Sequence, residues 1–300
     1  MSPTLRRRKS AETAAPAVET PSGPSGGTAV AVPEPAAPEP AVPEPAGPEP
    51  AAPEPAATSR RLLAHSMPVL LVQAAHPRQA VLTAGGLAVA AALSGRSGRE
   101  VWLVLATVLV GQAILGWFND LVDRRRDAAR LPQDGRSGKP IADGYLDPGT
   151  VWFALTCAVL LVVPLSVQNG VTAGAAYLAS VAVGMLGNVV LRQGWLSWLP
   201  WAVAYGLYPF FLSYGGWGGA TEGSPPQWSM VALAALLGAG VHVLCALPGL
   251  VADHEDGLRH LPLRIALRIG ATRLLVLAIG WVAACLVGLL LVGSSVGLSR

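Results

Sequence analysis

Seven apolar runs, each close to the length that crosses a bilayer, dominate the chain after residue 77 and limit the folds open to it. They cover residues 78–95, 101–118, 150–167, 171–191, 197–214, 229–251 and 271–293. The whole chain is 52% hydrophobic and only 13% charged, which is unusual for a water-soluble globular protein. We therefore predict an all-α, polytopic membrane helical bundle with about seven spanning helices. The first and the third of these runs are short and need flanking residues to complete the crossing.

The first 60 residues have a different composition, and we predict that residues 1–60 form a disordered tail ahead of a transmembrane domain at 61–300. Within this tail, Pro-Glu-Pro recurs every five residues from Pro33 to Pro55, with alanine between the repeats. Such a sequence cannot bury a core, and its prolines favour an extended polyproline conformation. A short apolar piece, 67–75, follows it and is expected to lie at the membrane interface as a half-helix.

An acidic cluster follows the second apolar run directly. If the helix continues, Asp120, Asp123 and Asp127 fall at i, i+3 and i+7 on one face, with Asn119 beside them. Carboxylate oxygens suit a hard divalent ion, and Mg²⁺ is usually held by one or two carboxylates together with the phosphates of a substrate. The alternative is a solvated helix end whose charges are neutralised by the arginines at 124–126. The place of the cluster at the end of a membrane helix favours a functional site.

The run NDxxDxxxD from Asn119 to Asp127, followed by KPIxxG from Lys139 to Gly144, resembles the first signature of the UbiA family of intramembrane prenyltransferases. The resemblance is to the bacterial branch in particular, and it extends from His76 to about residue 270. It implies the helical bundle of that family, Mg²⁺ as cofactor and a prenyl diphosphate as substrate. The family typically has nine spanning helices, so either the last two are missing from this chain or the count of seven apolar runs is too low.

A looser match to the second signature lies between the sixth and seventh apolar runs, where an acidic cluster precedes Gly257, Arg259 and the Leu-Pro pair at 261–262. In the bacterial branch, the positions of Cys245 and Gly249 commonly carry Asn and Asp, and this departure permits an altered acceptor or reaction. The resemblance implies that the metal is bound by Asp120, Asp123, Asp127, Asp253 and Asp256. It implies that catalysis depends on Asn119, Asp120, Asp123, Asp127 and Asp253.

The resemblance also implies a set of side chains that bind the diphosphate, namely Lys139, Arg192, Asn188 and Arg130. A guanidinium can grip phosphate oxygens in a fork, whereas an ammonium acts as a point charge. Lys139 and Arg192 also have a plainer interpretation as cytoplasmic anchors of their helices. Asn119 is expected to orient the acceptor or a metal-bound water.

Basic residues are concentrated in alternate loops, which predicts the orientation of the bundle. One side holds Arg60, Arg61, Arg124, Arg125, Arg126, Arg130, Arg136, Lys139, Arg192, Arg259, Arg264, Arg268 and Arg273, whereas the other holds Arg96 and Arg99. We therefore predict a multi-pass cell-membrane protein whose N-terminus and two acidic loops are cytoplasmic. No basic patch typical of nucleic-acid binding is visible. A second copy of the chain, lipid or another protein would supply the cavity wall of the missing helices.

The reaction implied is Mg²⁺-dependent transfer of a prenyl group from its diphosphate to an acceptor within the membrane, with an aromatic ring as the expected acceptor. Two alternatives stay open. The first is an intramembrane terpene cyclase, which keeps the ionisation step and has no acceptor. The second is a non-catalytic membrane scaffold that uses the proline-rich tail as a docking arm. The sequence does not specify the acceptor or the length of the prenyl chain.

Overall fold

A computed structural model of the protein describes residues 66–129, 138–216 and 223–295, and these residues form helices and turns without a β-strand. All of them belong to one unit, Pro53–Arg300. The predicted tail at 1–60 lies outside the described residues. The helices are α1 (Met67–Ala74), α2 (Pro77–Leu93), α3 (Gly98–Ala129), α4 (Pro148–Gln168), α5 (Val171–Val189), α6 (Leu199–Gly206), α7 (Tyr208–Tyr214), α8 (Trp228–Ala246), α9 (Leu250–Glu255), α10 (Leu261–Ile269) and α11 (Ala271–Ser295), with a 3₁₀ turn at Leu247–Gly249 between α8 and α9.

Five helical stretches within the described residues are long and apolar enough to cross a membrane: α3, α4, α5, Trp228–Glu255 and α11. The first predicted span is short, as expected, because α2 has 17 residues. The third apolar run, 150–167, is lengthened by flanking residues, as expected: α4 has 21 residues, and the Asp147 side chain caps it by accepting from the Thr150 amide. The fifth is divided into α6 and α7, where Pro209 cannot continue the hydrogen-bond ladder of the preceding helix.

Helix α3 lies at the centre of one apolar core of the bundle. Its buried residues Val104, Val108 and Ile114 pack with Tyr177 of α5 and Phe211 of α7. The Tyr177 hydroxyl donates to the Val108 carbonyl oxygen at 3.2 Å, so the buried phenol is satisfied. These contacts hold α3 in the middle of the bundle, and its 32 residues extend beyond the apolar core into the acidic motif.

The acidic end of α3 is held by α1 and by the junction of α1 with α2. Trp117 Nε1 donates to the Leu71 carbonyl oxygen at 2.8 Å. Gly116 lies so close to the backbone of Ala75 that a Cβ atom on Gly116 would come within 2.6 Å of the Ala75 carbonyl carbon. His76, with a φ of +52°, turns the chain from α1 into α2 at this point. The junction between the two helices therefore lies against the start of the motif.

At the end of the bundle away from the acidic motif, Arg96 links the α2–α3 turn to the end of α7. The Arg96 guanidinium donates to the carbonyl oxygens of Leu212 and Gly215, the latter at 2.7 Å. Burial lowers the pKa of Arg96, and the negative charge of Glu100 acts in the opposite direction. Arg96 therefore has a structural role that ties the α2–α3 turn to the end of α7.

Candidate active site

The helical continuation predicted for the first motif is present, because α3 runs unbroken to Ala129. Asp120, Asp123 and Asp127 consequently lie on one face of α3. The first two are buried, with exposed fractions of 2% for Asp120 and 5% for Asp123. A buried carboxylate is costly unless it is paired and hydrogen-bonded, so the partners of these two groups define the site.

Asp120 is held by two cationic or polar groups from different parts of the chain. The Nε2 atom of His76 lies 3.0 Å from Asp120 Oδ1. The Nζ atom of Lys139 lies 3.5 Å from the same oxygen and 2.8 Å from Asp127 Oδ2. Lys139 thus bridges Asp120 and Asp127. The KPIxxG turn folds back on the first acidic motif as a consequence, and Ile141 is buried there against Leu121.

Asp123 connects the first acidic segment to the second. The Arg192 guanidinium, in the loop between α5 and α6, forms an ion pair with Asp123 Oδ1. Arg126 Nη1 lies 3.9 Å from the same oxygen, and Arg126 Nε lies 3.7 Å from Asp256 Oδ2. Arg126 therefore contacts both acidic segments, and its partner Asp256 lies 130 residues after it in the sequence.

Arg192 also feels the charges of the second acidic segment. Burial lowers the pKa of the Arg192 guanidinium, and the charges of Asp253 and Asp256 act in the opposite direction. An arginine side chain remains protonated under all ordinary conditions. Arg192 is therefore a permanent positive charge among the carboxylates of both segments.

The second acidic segment is oriented by a histidine. His260 is buried, and its Nδ1 atom accepts a hydrogen bond of 3.3 Å from the Leu263 amide at the start of α10. Because Nδ1 is an acceptor, the ring proton is on Nε2, which donates to Asp253 Oδ2 at 3.0 Å. His260 thus fixes the Asp253 carboxylate and caps α10 with the same ring.

A cavity of about 530 Å³ opens between the end of α3 and the end of α5. Three of its side chains are guanidinium groups, those of Arg125, Arg126 and Arg192, so its charge favours an anion. Nη1 of Arg126 is buried and has no hydrogen-bond partner among the described residues. We refer to this cavity as the arginine pocket, and its lining residues are Val122, Asp123, Arg125, Arg126, Asn188, Val189, Val190, Arg192 and Gln193.

The donor set of the site is chemically suited to a hard cation, since it consists of aspartate oxygens. No three side chains of His, Cys, Asp or Glu converge as a ready-made metal cage in the described ranges. Mg²⁺ in particular is usually bound by one or two carboxylates and completed by substrate phosphates and water, so a full cage is not what it requires. The residues present therefore fit Mg²⁺ bound together with a phosphorylated substrate.

The structure brings most of the predicted site residues to one end of the bundle, linked by the contacts above, and Asn188 lines the arginine pocket. Asn119 is half-buried beside them and has no polar contact with another described residue. Arg130 lies outside the described residues.

Sequence reasoning missed the contacts made by His76 and His260, and the contact of Arg126 with Asp256. His260 stands directly before a Leu-Pro pair that opens a helix, which is a signal for a capping residue. Arg126 is one of three successive arginines, and nothing in the sequence distinguishes it from the other two.

Comparison with known proteins bears on the family and the fold of the chain. A sequence model of the UbiA prenyltransferase family matches residues 80–299 of the chain. A UbiA homologue from Archaeoglobus fulgidus bound to GPP and Mg²⁺ is similar in structure, with a TM-score of 0.56 and 16% identity over 73% of this chain and 76% of that one. Its complex with DMAPP and Mg²⁺ gives a TM-score of 0.55 and 17% identity over 73% and 75% of the two chains. No curated protein matches the chain.

Proposed function

Because the chain belongs to the UbiA prenyltransferase family and is a multi-pass membrane protein, we propose that it transfers a prenyl group from a prenyl diphosphate to an acceptor within the bilayer. One observation carries the proposal. Arg126 contacts both Asp123 and Asp256, and Arg192 lies among the same carboxylates, so two distant acidic segments form one charged site. Such a site can bind a diphosphate from two sides.

The diphosphate is bound by the cations around the arginine pocket. Arg192 and Lys139 each reach carboxylates now, and each can exchange a carboxylate oxygen for a phosphate oxygen without losing an anionic partner. Asn188 adds an amide donor at the pocket wall, and Arg130 is proposed as a further cation. The A. fulgidus homologue bound to GPP and DMAPP supports a prenyl diphosphate as the ligand class.

Asp120, Asp123, Asp127, Asp253 and Asp256 are proposed to hold Mg²⁺. When bound, Mg²⁺ supplies Lewis-acid neutralisation of the leaving diphosphate. His76 and His260 hold the carboxylates of Asp120 and Asp253 in fixed orientations, so little reorganisation is needed when substrate arrives. The loops that bear these residues are proposed to face the cytoplasm, on the basis of their basic residues.

In the reaction proposed, the bond between the allylic carbon and the diphosphate oxygen breaks, and both electrons leave with the diphosphate. The allylic cation is captured by the π electrons of an aromatic acceptor, which forms a carbon–carbon bond and then loses a proton. Water must be excluded, since it would quench the cation. The apolar helices that meet at the site provide this exclusion, and Asn119 is proposed to orient the acceptor.

The proposal is tested with purified protein in liposomes that contain labelled geranyl, farnesyl or geranylgeranyl diphosphate, Mg²⁺ and a panel of aromatic acids. We expect a prenylated aromatic product and release of diphosphate, both abolished by EDTA. A terpene formed without an acceptor would assign the protein as a cyclase. Absence of diphosphate release with every substrate, from protein shown to be folded, would contradict catalysis.

A variant of His260 separates its two roles. His260→Asn should keep the cap on α10, since asparagine is a strong capping residue, but its shorter side chain cannot reach Asp253. We expect thermal stability close to the wild type, turnover lower by about 10- to 100-fold and a higher Mg²⁺ requirement, as for the loss of a residue that orients a metal ligand. Unchanged Mg²⁺ dependence in this variant would assign His260 to helix capping alone.

A further inference from the structure

A second pocket lies outside the site described above. It has a volume of about 340 Å³ and lies between the end of α9 and one face of α10. We refer to it as the α10 pocket. None of its lining residues is among the proposed ligands of metal or diphosphate, and they are His254, Gly257, Leu258, Arg259, Leu263, Arg264 and Leu267.

The α10 pocket has a cationic side and an apolar side. Leu263 and Leu267 are one helical turn apart on α10, and Arg264 projects beside them. Arg264 is held in place, because its Nε atom donates to the Arg259 carbonyl oxygen at 2.7 Å and its guanidinium lies 4.9 Å from the ring centroid of Trp195. Among the described residues, no hydrogen bond or ion pair engages the terminal nitrogens of Arg264, so they can meet a ligand.

The arginines of this segment have no carboxylate within the segment itself, although Asp253, Glu255 and Asp256 precede it directly. Residues 257–273 contain four arginines, Arg259, Arg264, Arg268 and Arg273, and no Asp or Glu. Within the part of the chain that the structure describes, neither Arg259 nor Arg264 forms an ion pair with a carboxylate. A compact anion placed between the two guanidinium groups would therefore meet uncompensated positive charge.

The α10 pocket also lies where a membrane surface is expected. Helix α11 follows α10 after a single glycine, is 25 residues long and predominantly apolar, and carries Arg273 as its one charged residue, near its start. A short helix with arginines beside leucines, directly before such a span, is typical of a segment that lies in the interface. Anionic lipid head groups are attracted to basic residues at this depth.

We propose that the α10 pocket binds an anionic phospholipid. The phosphate of the head group lies between Arg259 and Arg264, and the start of the acyl chains lies beside Leu263 and Leu267. A zwitterionic lipid offers no net charge to the two arginines. A soluble phosphate offers nothing to the two leucines. The pocket has both kinds of side chain, which is why a charged lipid fits it better than either.

The test measures binding without substrate or Mg²⁺, so its outcome does not depend on the proposed reaction. Full-length protein in nanodiscs of phosphatidylcholine is titrated with a headgroup-labelled phosphatidylglycerol, and binding is followed by energy transfer from the protein. We expect saturable binding, weakened roughly 10- to 30-fold in the double variant Arg259→Ala, Arg264→Ala, as two interfacial arginines are removed. Arg259→Lys with Arg264→Lys should retain most of the affinity, which shows that charge and not misfolding is measured.

Arg273→Ala is the matched control, because it removes one arginine from the same basic segment but does not line the pocket. Its affinity should stay within about two-fold of the wild type. If Arg273→Ala loses as much affinity as the double variant, the lipid is attracted by the basic surface in general and not by the pocket. If inorganic phosphate at the same concentration as the lipid competes for binding, the ligand of the pocket is a soluble anion and not a phospholipid. Either result overturns the proposal.

Discussion

Replacing Asp120 with asparagine should lower kcat/KM by roughly 10²- to 10³-fold, because metal-linked charge stabilisation is worth several kcal/mol and each 1.36 kcal/mol is a factor of ten in rate. Asp120 is the most buried aspartate of the site, at 2% exposure, and its Oδ1 contacts both His76 and Lys139. Asparagine keeps the shape of the side chain but not its charge. The loss should therefore come from chemistry, with the helix intact.

Diphosphate release in liposomes measures the effect, and elution as a single species with unchanged thermal stability in detergent shows that the variant is folded. Asp147→Asn is the matched control: Asp147 is an aspartate whose described role is to cap α4, and asparagine caps equally well. Its turnover should stay within about two-fold of the wild type. An Asp120→Asn variant that retains half of the wild-type activity would remove Asp120 from the proposed metal site.

The arrangement of the first acidic motif can be predicted from the sequence because the relevant contacts are local. The spacing of Asp120, Asp123 and Asp127 has a single consequence once α3 continues, namely a shared face. Lys139 is near enough in sequence for the KPIxxG turn to return it to that face, where it contacts Asp120 and Asp127.

The contacts between the two halves could not be predicted in the same way. Arg126 meets Asp256 across 130 residues (256 − 126), and no periodicity in the sequence encodes a pairing of that range. The division of the fifth span had a visible signal in Pro209, but length and hydropathy alone favour one continuous helix over 197–214. Apolar runs locate the ends of a span only to within about two or three residues. Capping residues such as Asp147, which caps α4, determine where the helix begins.

The link between Arg192 and Asp123 has an unusual consequence for binding. Arg192 competes for an oxygen that is proposed to bind Mg²⁺, and it is also proposed to bind the diphosphate. Its removal should therefore act in opposite directions on the two ligands. A helix anchor placed by the positive-inside bias would affect neither.

We expect Arg192→Gln to raise KM for the prenyl diphosphate roughly 10- to 100-fold, the range for loss of a charge-assisted contact. The Mg²⁺ concentration that gives half-maximal rate should fall, because the Asp123 carboxylate has lost a competing cation. Arg192→Lys should restore the affinity only in part, since an ammonium cannot form the two-pronged contact of a guanidinium. Arg78→Gln, which removes an exposed arginine at the start of α2, is the control and should leave both constants unchanged. Full rescue by lysine, or a rise in both constants together, would show that Arg192 holds the loop between α5 and α6 in place and does not contact the diphosphate.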